Sequence, residues 1–494
     1  MLQQYFNFLK GSNPSISPFL AGEAMLTKQE GCLTTQTFGA IVKDLGYALW
    51  GAQMTAGNDI TGLFDFRQSP TVKREFATLN NAADTALTLW GKTPAGAWTN
   101  IAGATAPWTG FQNCKVEMTK FLDYCFFVGH DATQGFLPKA TVTGTTFSET
   151  TNATDMAQGK YILRYRSRVY VLNCRSGGTD HPYRVYFSST PSAGSITWTP
   201  ATDFFDVDEG EDITGGIINW DRMLIFTLTS TYFYDQTQAK QIWDYGCSNH
   251  RTAKNFGAFT IWCTGDDVVI STGGQPQPIG GEYKDFIQAG NSLNYFAERI
   301  DNEYHLYIGT VTVKDTTYTN TVLTYNFGLD TWRLRELAHS ITVFSKYLDT
   351  TTGKWRLHMG NADGGVYDKT KYTDTLTSSP AIVYADAGSA INSRFEITIN
   401  LGNMTIEKVA NNLVAYANRA GGLKLKGRVV DRNQDILMPY QSIGELTQYV
   451  NSFQLDVGDG ALLQIEGVQS GTTPYWSFYG FELEVNKSGN VLQT

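Results

Sequence analysis

The sequence predicts an all-β protein: a β-propeller of six or seven irregular blades, preceded by an extended arm and followed by a β-sandwich. Three observations carry this. Charged residues make up only 17% of the chain, below the ~25% usual for soluble domains. Aromatics reach 13% beside 48 glycines, a mixture that suits short strands and tight turns. A two-strand unit with aromatics at alternate positions recurs through the middle of the chain.

Residues 1–57 are broken by Gly11, Pro14, Pro18, Gly22 and Gly31, which interrupt any long element. They read as an extended arm lying on something else, with one helical turn at 22–28. The propeller is expected over 58–375. Tyr161-Ile162-Leu163-Arg164-Tyr165 turns at Arg166-Ser167 into Val169-Tyr170-Val171-Leu172. Ile217-Ile218-Asn219-Trp220 turns into Met223-Leu224-Ile225-Phe226, and Phe259-Thr260-Ile261-Trp262 into Val268-Val269-Ile270. Tyr295-Phe296-Ala297-Glu298-Arg299 turns into Tyr304-His305-Leu306-Tyr307-Ile308. Units begin near 62, 116, 160, 216, 256, 294 and 341, the ~40–50-residue period of propeller blades. Leu323-Thr324-Tyr325-Asn326, followed by Trp332, reads as a further blade strand with a capping Trp.

Near Ser378-Ser379-Pro380 the texture changes. Strands lengthen at 393–400, 408–416, 423–430, 452–457, 462–467 and 476–484, and alternation is cleaner, as in Phe395-Ile397-Ile399. This reads as a β-sandwich over 380–486, with a tail at 487–494.

The net charge is −9, and no cluster of Lys and Arg offers a grip on phosphates. No N-terminal secretory pattern and no run of ~18 apolar residues are present. Six cysteines, none spaced Cys-x-x-Cys, read as buried reduced thiols made in a bacterial cytoplasm. The acidic stretch Asp203, Asp206, Asp208, Glu209, Glu211 and Asp212 lacks the spacing of a calcium loop and reads as a solvated connection. A bound cation there is the alternative. No two of the six histidines lie within four residues, and no nucleophile elbow or phosphate loop is present. Ser188 to Trp198 comes nearest to a sialidase turn, but Ser192 stands where an Asp belongs. Arg164, Arg166, Arg168, Arg184, Arg222 and Arg251 could supply a carboxylate-binding triad only if three converge; most are expected in solvated hairpin turns. The sequence therefore predicts no catalytic residue, no cofactor and no metal site.

A resemblance follows from three passages. Gly39-Ala40-Ile41-Val42-Lys43-Asp44-Leu45-Gly46-Tyr47 is similar to the opening of the propeller-containing tail hub or nozzle proteins of short-tailed bacteriophages. Tyr183-Arg184-Val185-Tyr186-Phe187-Ser188-Ser189 with Ile196-Thr197-Trp198 resembles one of their blades. Asp212-Ile213-Thr214-Gly215-Gly216-Ile217 with Leu224-Ile225-Phe226 and Thr231-Tyr232-Phe233-Tyr234 resembles another, although Thr231 replaces a Ser. The resemblance implies a non-enzymatic virion protein. Several copies, often six, would ring the tail axis below the portal and adaptor and beside tail fibres. Genomic DNA would pass through the lumen without sequence-specific binding, and no membrane would be involved. The alternatives are a receptor- or carbohydrate-binding propeller at the tail tip and a propeller glycosidase.

Overall fold

The computed structural model describes residues 2–8, 26–34, 39–69, 72–80, 86–101, 114–131, 135–136, 140–143, 146–148, 155–219, 221–369, 385–401, 406–418, 422–430, 439–455, 457, 459–460, 462–470 and 476–491. Strands dominate, and the one α-helix among these residues is Lys284–Ala289. The protein is all-β, as the composition predicts. The junction expected at Ser378-Ser379-Pro380, Trp220, and most of the helical turn expected at 22–28 lie outside the described residues. The end of that turn is corrected: Leu26–Glu30 is a strand. Leu26 is buried in the apolar core, Thr27 donates to Glu396 Oε1 at 2.7 Å, and Lys28 pairs with Glu30.

Two compact units divide the chain. Unit 1 comprises Met1–Ala48, Val313–Ala338 and Thr370–Thr494; unit 2 comprises Leu49–Thr312 and His339–Lys369.

Seven antiparallel strand groups begin in unit 2: six are sheets of four or five strands, and the one led by Phe296 begins a nine-stranded sheet. Their first strands are Ile60–Arg67, Lys115–Phe121, Gln158–Tyr165, Gly215–Asn219, Lys254–Asn255, Phe296–Ile300 and Ile341–Leu348, which we call the lead strands of sheets 1 to 7. Each begins within two residues of a start read from the sequence. The lead strand of every sheet adjoins that of the next, and sheet 7 adjoins sheet 1. A sheet with two apolar faces needs a neighbour on each side, and this order supplies both. Phe66, Phe76 and Leu89 of sheet 1 meet Val116, Cys125 and Phe127 of sheet 2. Tyr170, Leu172 and Val185 of sheet 3 meet Met223, Ile225 and Tyr232 of sheet 4. Ile60, Leu63 and Leu79 of sheet 1 meet Val343 and Val366 of sheet 7.

The beginning of unit 2 also ties to its end. Trp50 N donates to Val366 O at 2.7 Å, and Met54 N donates to Gly364 O at 3.0 Å. Gly364 has φ +71°, and a Cβ there would stand 2.2 Å from Thr55 O, so only glycine allows the approach. Beneath this seam Glu75 bridges two sheets. Its Oε1 lies 2.6 Å from His358 Nδ1, and its Oε2 accepts from Trp50 Nε1 at 3.0 Å. His358 stacks on Tyr347, with ring centroids 4.6 Å apart.

Unit 1 has a different plan. One sheet runs Cys32–Thr34, Ile41–Lys43, Ser477–Val491, Ile406–Asn418, Val450–Gln454, with Leu2–Phe6 also pairing the Ser477–Val491 strand. A second runs Thr316–Asn326, Thr331–Glu336, Leu26–Glu30, Ser393–Asn400, Leu462–Gln469, Leu423–Val430, Gln441–Leu446. They share one core that includes Tyr5, Phe8, Leu26, Phe395, Ile397, Leu413, Ile465 and Phe481. The segment read as an arm thus contributes strands and buried rings to unit 1. The hairpin holding Trp332, read as a further blade strand, continues the sheet begun by Phe296–Ile300 and Glu303–Val313.

A buried ion triad ties the three stretches of unit 1 together. Arg335 Nη1 donates to Asp44 Oδ2 at 2.8 Å and to Leu45 O at 2.5 Å, and Nη2 donates to Asp386 Oδ1. Burial opposes the Arg335 charge, but Asp386 and Asp44 outweigh it and raise its pKa. Removing one member of such a group strands the others uncompensated, which costs about 3–5 kcal/mol. Arg335→Ala is therefore expected to lower the urea stability of unit 1 by about that amount. A loss below about 1 kcal/mol would mean the triad does not hold these stretches.

Candidate functional site

The chemistry-bearing groups of unit 2 gather where the lead strands face one another. A cavity of about 290 Å³ is bounded by side chains of sheets 1, 2, 5, 6 and 7. Alternation along each lead strand sends one set of side chains toward this space. Asp65 and Arg67 enter from sheet 1, Glu117 from sheet 2, Lys254 from sheet 5, Glu298 from sheet 6 and Lys346 from sheet 7.

Arg251 forms the partition. It sits on the 3₁₀ turn His250–Thr252, whose preceding Asn249 accepts from Arg251 N at 3.0 Å. Its Nε donates to Glu117 Oε1 at 2.6 Å, and its Nη2 to Thr61 O at 2.8 Å and Val116 O at 3.1 Å. The side chain therefore crosses from sheet 5 to sheets 1 and 2. Arg251 and Phe296 line both this cavity and a second one of about 400 Å³. Lys115 lines the second cavity and donates to Leu293 O at 3.2 Å. Burial, and then the Arg251 charge, bring its pKa down to about 8.

The remaining charges form local pairs. Arg67 Nε donates to Asp65 Oδ2 at 2.8 Å, and Lys254 Nζ stands 3.6 Å from Glu298 Oε2. Asp65 Oδ2 also accepts from Leu348 N at 3.2 Å, whereas Asp65 Oδ1 is buried with no hydrogen-bond partner. The pKa values follow this layout. Burial raises that of Asp65 despite Arg67. Burial acts in the same sense on Glu117, but the Arg251 guanidinium overcomes it and holds Glu117 below the usual carboxylate range. Burial pushes the half-buried His250 down to about 4; its Nδ1 accepts from Gly216 N at 3.2 Å, a bond that protonation there would break.

Of the six arginines named from the sequence, Arg251 alone lines this cavity, so no triad forms there. It is also a correction, since Arg251 is 9% exposed rather than solvated in a turn. Arg166 pairs with Asp221, and Arg184 makes two bonds to Asp206 at 2.6 and 2.8 Å. Arg164, Arg168 and Arg222 lie over Phe121, Phe187 and Phe233. Trp198 of the sialidase-like turn is packed in a core with Ile196 and Tyr186. In the acidic stretch Asp208, Glu209 and Asp212 are exposed and none of the six is buried; within it Asp206 pairs with Arg184, Tyr232 donates to Asp208, and Thr229 donates to Glu211. Among the described residues no group of three or more His, Cys, Asp or Glu side chains could hold a metal ion. All six cysteines are buried and free. Sequence reading missed Asp65, Arg67, Glu117, Lys254, Glu298 and Lys346. The available signal was a charged residue at an alternate position in a first strand.

No family model matches the chain, and no curated protein matches it. Among solved structures it is similar to the AfRom2 CNH domain, at 6% identity and TM-score 0.38, covering 66% of this chain and 98% of that one. It is similar to PorZ, a surface component of the type-IX secretion system of Porphyromonas gingivalis, at 10% identity and TM-score 0.38. That match covers 75% of this chain and 44% of PorZ, so the chain spans less than half of that protein's length. An exo-β-1,3-galactanase from Phanerochaete chrysosporium gives 10% identity and TM-score 0.24, with 90% and 100% covered. Superpositions this loose carry no weight for fold or function.

The charge layout of the cavity predicts acid sensitivity. The folded pKa of His250 lies near 4, below its ordinary 6.5. The unfolded chain then binds the extra proton, and stability drains away as pH falls from 6.5 toward 4. Glu117 acts in the same direction: its stabilisation is present above pH 4.5 and lost as pH falls through its depressed folded value. Thermal unfolding of unit 2 followed from pH 7 to 4 should lose about 1–2 kcal/mol to His250, after allowance for its partial exposure. His250→Asn should flatten that part of the curve. An unchanged slope would show that His250 is charged in the fold. Arg251→Ala is expected to cost about 3 kcal/mol in chemical denaturation, because Glu117 loses its counter-charge.

Proposed function

We propose that the chain is a non-enzymatic structural protein of a bacteriophage tail, of the hub or nozzle kind. Its unit 2 is then a seven-bladed β-propeller and its unit 1 a β-sandwich carrying the N-terminal strands. Cyclic contact of the lead strands supports the propeller, and two sheets around one core support the sandwich. The passages at 39–47, 183–198 and 212–234 support the tail reading.

The observation that carries the non-enzymatic part is the Arg251 bridge. In a propeller the space between lead strands is the natural place for a catalytic pocket. Here an ion pair anchored on two backbone carbonyls partitions it. A retaining or inverting glycosidase needs two carboxyl groups facing an open gap. Glu117 is held by Arg251 and Glu298 faces Lys254, while Asp65 retains one free oxygen. On this reading DNA travels through the lumen of an assembled ring rather than through a single chain.

A ring subunit needs a rigid body and large lateral contacts that close. Blades covered on both sides supply rigidity, and a weakly charged, aromatic-rich chain suits extensive burial between copies. The expected state is a homo-oligomeric ring, often of six copies, in the virion tail after assembly in the bacterial cytoplasm. Native mass spectrometry with negative-stain imaging of the purified chain tests this. The expected result is a closed ring that does not retain duplex DNA at moderate salt. A monomer at micromolar concentration that releases sugar from a fluorogenic glycoside would overturn it.

A further inference from the structure

The geometry points to a ligand site in one corner of the 290 Å³ cavity, shaped for a single carboxylated hexose unit such as a uronic acid residue. This inference goes beyond the tail-protein reading and does not depend on it.

Four side chains from sheets 1 and 7 meet in that corner. Asp65 and Arg67 clasp the backbone of Leu348: Leu348 N donates to Asp65 Oδ2, and Leu348 O accepts from Arg67 Nη2 at 2.5 Å. Lys346 lies two residues earlier on the same strand, so its side chain shares a face with Leu348. Trp355 is paired directly opposite Leu348. The result is an indole, an ammonium and a carboxyl group converging on one space, and all three line it.

Two of these groups have unspent capacity. Trp355 is 38% exposed, the state of an aromatic ring with a face left for a partner. The Lys346 ammonium lies 5.5 Å from the Trp355 ring centre and makes no ion pair among the described residues. The other cations of the cavity are matched: Arg67 by Asp65, Arg251 by Glu117, Lys254 by Glu298. Lys346, which is exposed, is the one cation of this lining without a carboxylate partner among the described residues. A ligand that offers a sugar-ring face and a carboxylate would answer both the Trp355 face and the Lys346 ammonium at once. The volume lies at the lower end of the ~300–1,000 Å³ of ligand pockets, which suits one ring rather than a chain threaded through.

The test is titration calorimetry of the full chain with the methyl glycosides of glucuronate and galacturonate. Methyl glucoside, acetate and sulfate serve as comparison probes. The expected result is binding of a uronate with Kd of about 1 mM and at least ~10-fold weaker binding of the neutral glycoside. Lys346→Gln should remove the preference for the uronate, and Trp355→Ala should weaken both sugars about 10-fold. Lys240→Gln, on an exposed strand of sheet 4, should change neither. Thermal unfolding establishes that each variant is folded. No uronate binding at 20-fold the expected Kd would overturn the inference. So would binding indifferent to both Lys346→Gln and Trp355→Ala, and so would acetate binding as tightly as the uronate, which would mark a simple anion sink.

Discussion

Everything in unit 2 depends on covering both faces of each sheet. A small antiparallel sheet rich in Phe, Tyr, Val and Ile on both sides cannot stand in water, and a linear stack leaves two open ends. Here the ends meet: sheet 7 lies against sheet 1, residues 50–54 run beside the last strand, and Glu75 joins His358 across 283 positions of sequence. Burial of apolar area is the main driving force at such faces, about 25 cal/mol per Å². The seam adds polar specificity, since a buried carboxylate must find donors and finds them in Trp50 and His358.

The contacts between successive lead strands frame the cavity. Lead strands send alternate side chains inward, and those side chains have nowhere to go except toward one another. Charged groups placed there must pair, because a lone buried charge is far costlier than a matched one. Asp65 with Arg67, Glu117 with Arg251 and Lys254 with Glu298 are three such solutions. The exposed Lys346 ammonium and the open face of Trp355 are where a ligand has something to gain. The same charge layout bears on both proposals, since Arg251, paired with Glu117, lines both cavities.

Much of this was legible in the sequence, and the reasons are local. Hairpins such as 161–172 and 217–226 set two short runs rich in Ile, Leu, Val, Met and aromatic residues on either side of a polar Arg-Ser or Asp-Arg turn, a local signal that needs no tertiary knowledge. Strands Ser393–Asn400 and Leu423–Val430 were readable to the residue for the same reason. What stayed hidden is long-range. Nothing near Arg335 announces Asp44 or Asp386, 291 and 51 positions away. Nothing near Arg251 announces Glu117, 134 positions away, so it looked like one more turn arginine. Leu26–Glu30 carries too little alternation to reveal a strand, because its pairing partners, Ser393–Asn400 and Thr331–Glu336, are supplied from far along the chain. The hairpin around Trp332 has the texture of its neighbours in sequence, and only contacts assign it to unit 1.

Closure of the cycle is the claim on which the rest stands, and amide hydrogen exchange on Glu75→Ala reads it directly. If sheets 1 and 7 are one seam, this single change should speed exchange together in residues 60–80 and 341–369, with a smaller rise around the remaining sheets. Faster exchange confined to the strand that carries residue 75, with 341–369 as protected as before, would contradict a closed cycle.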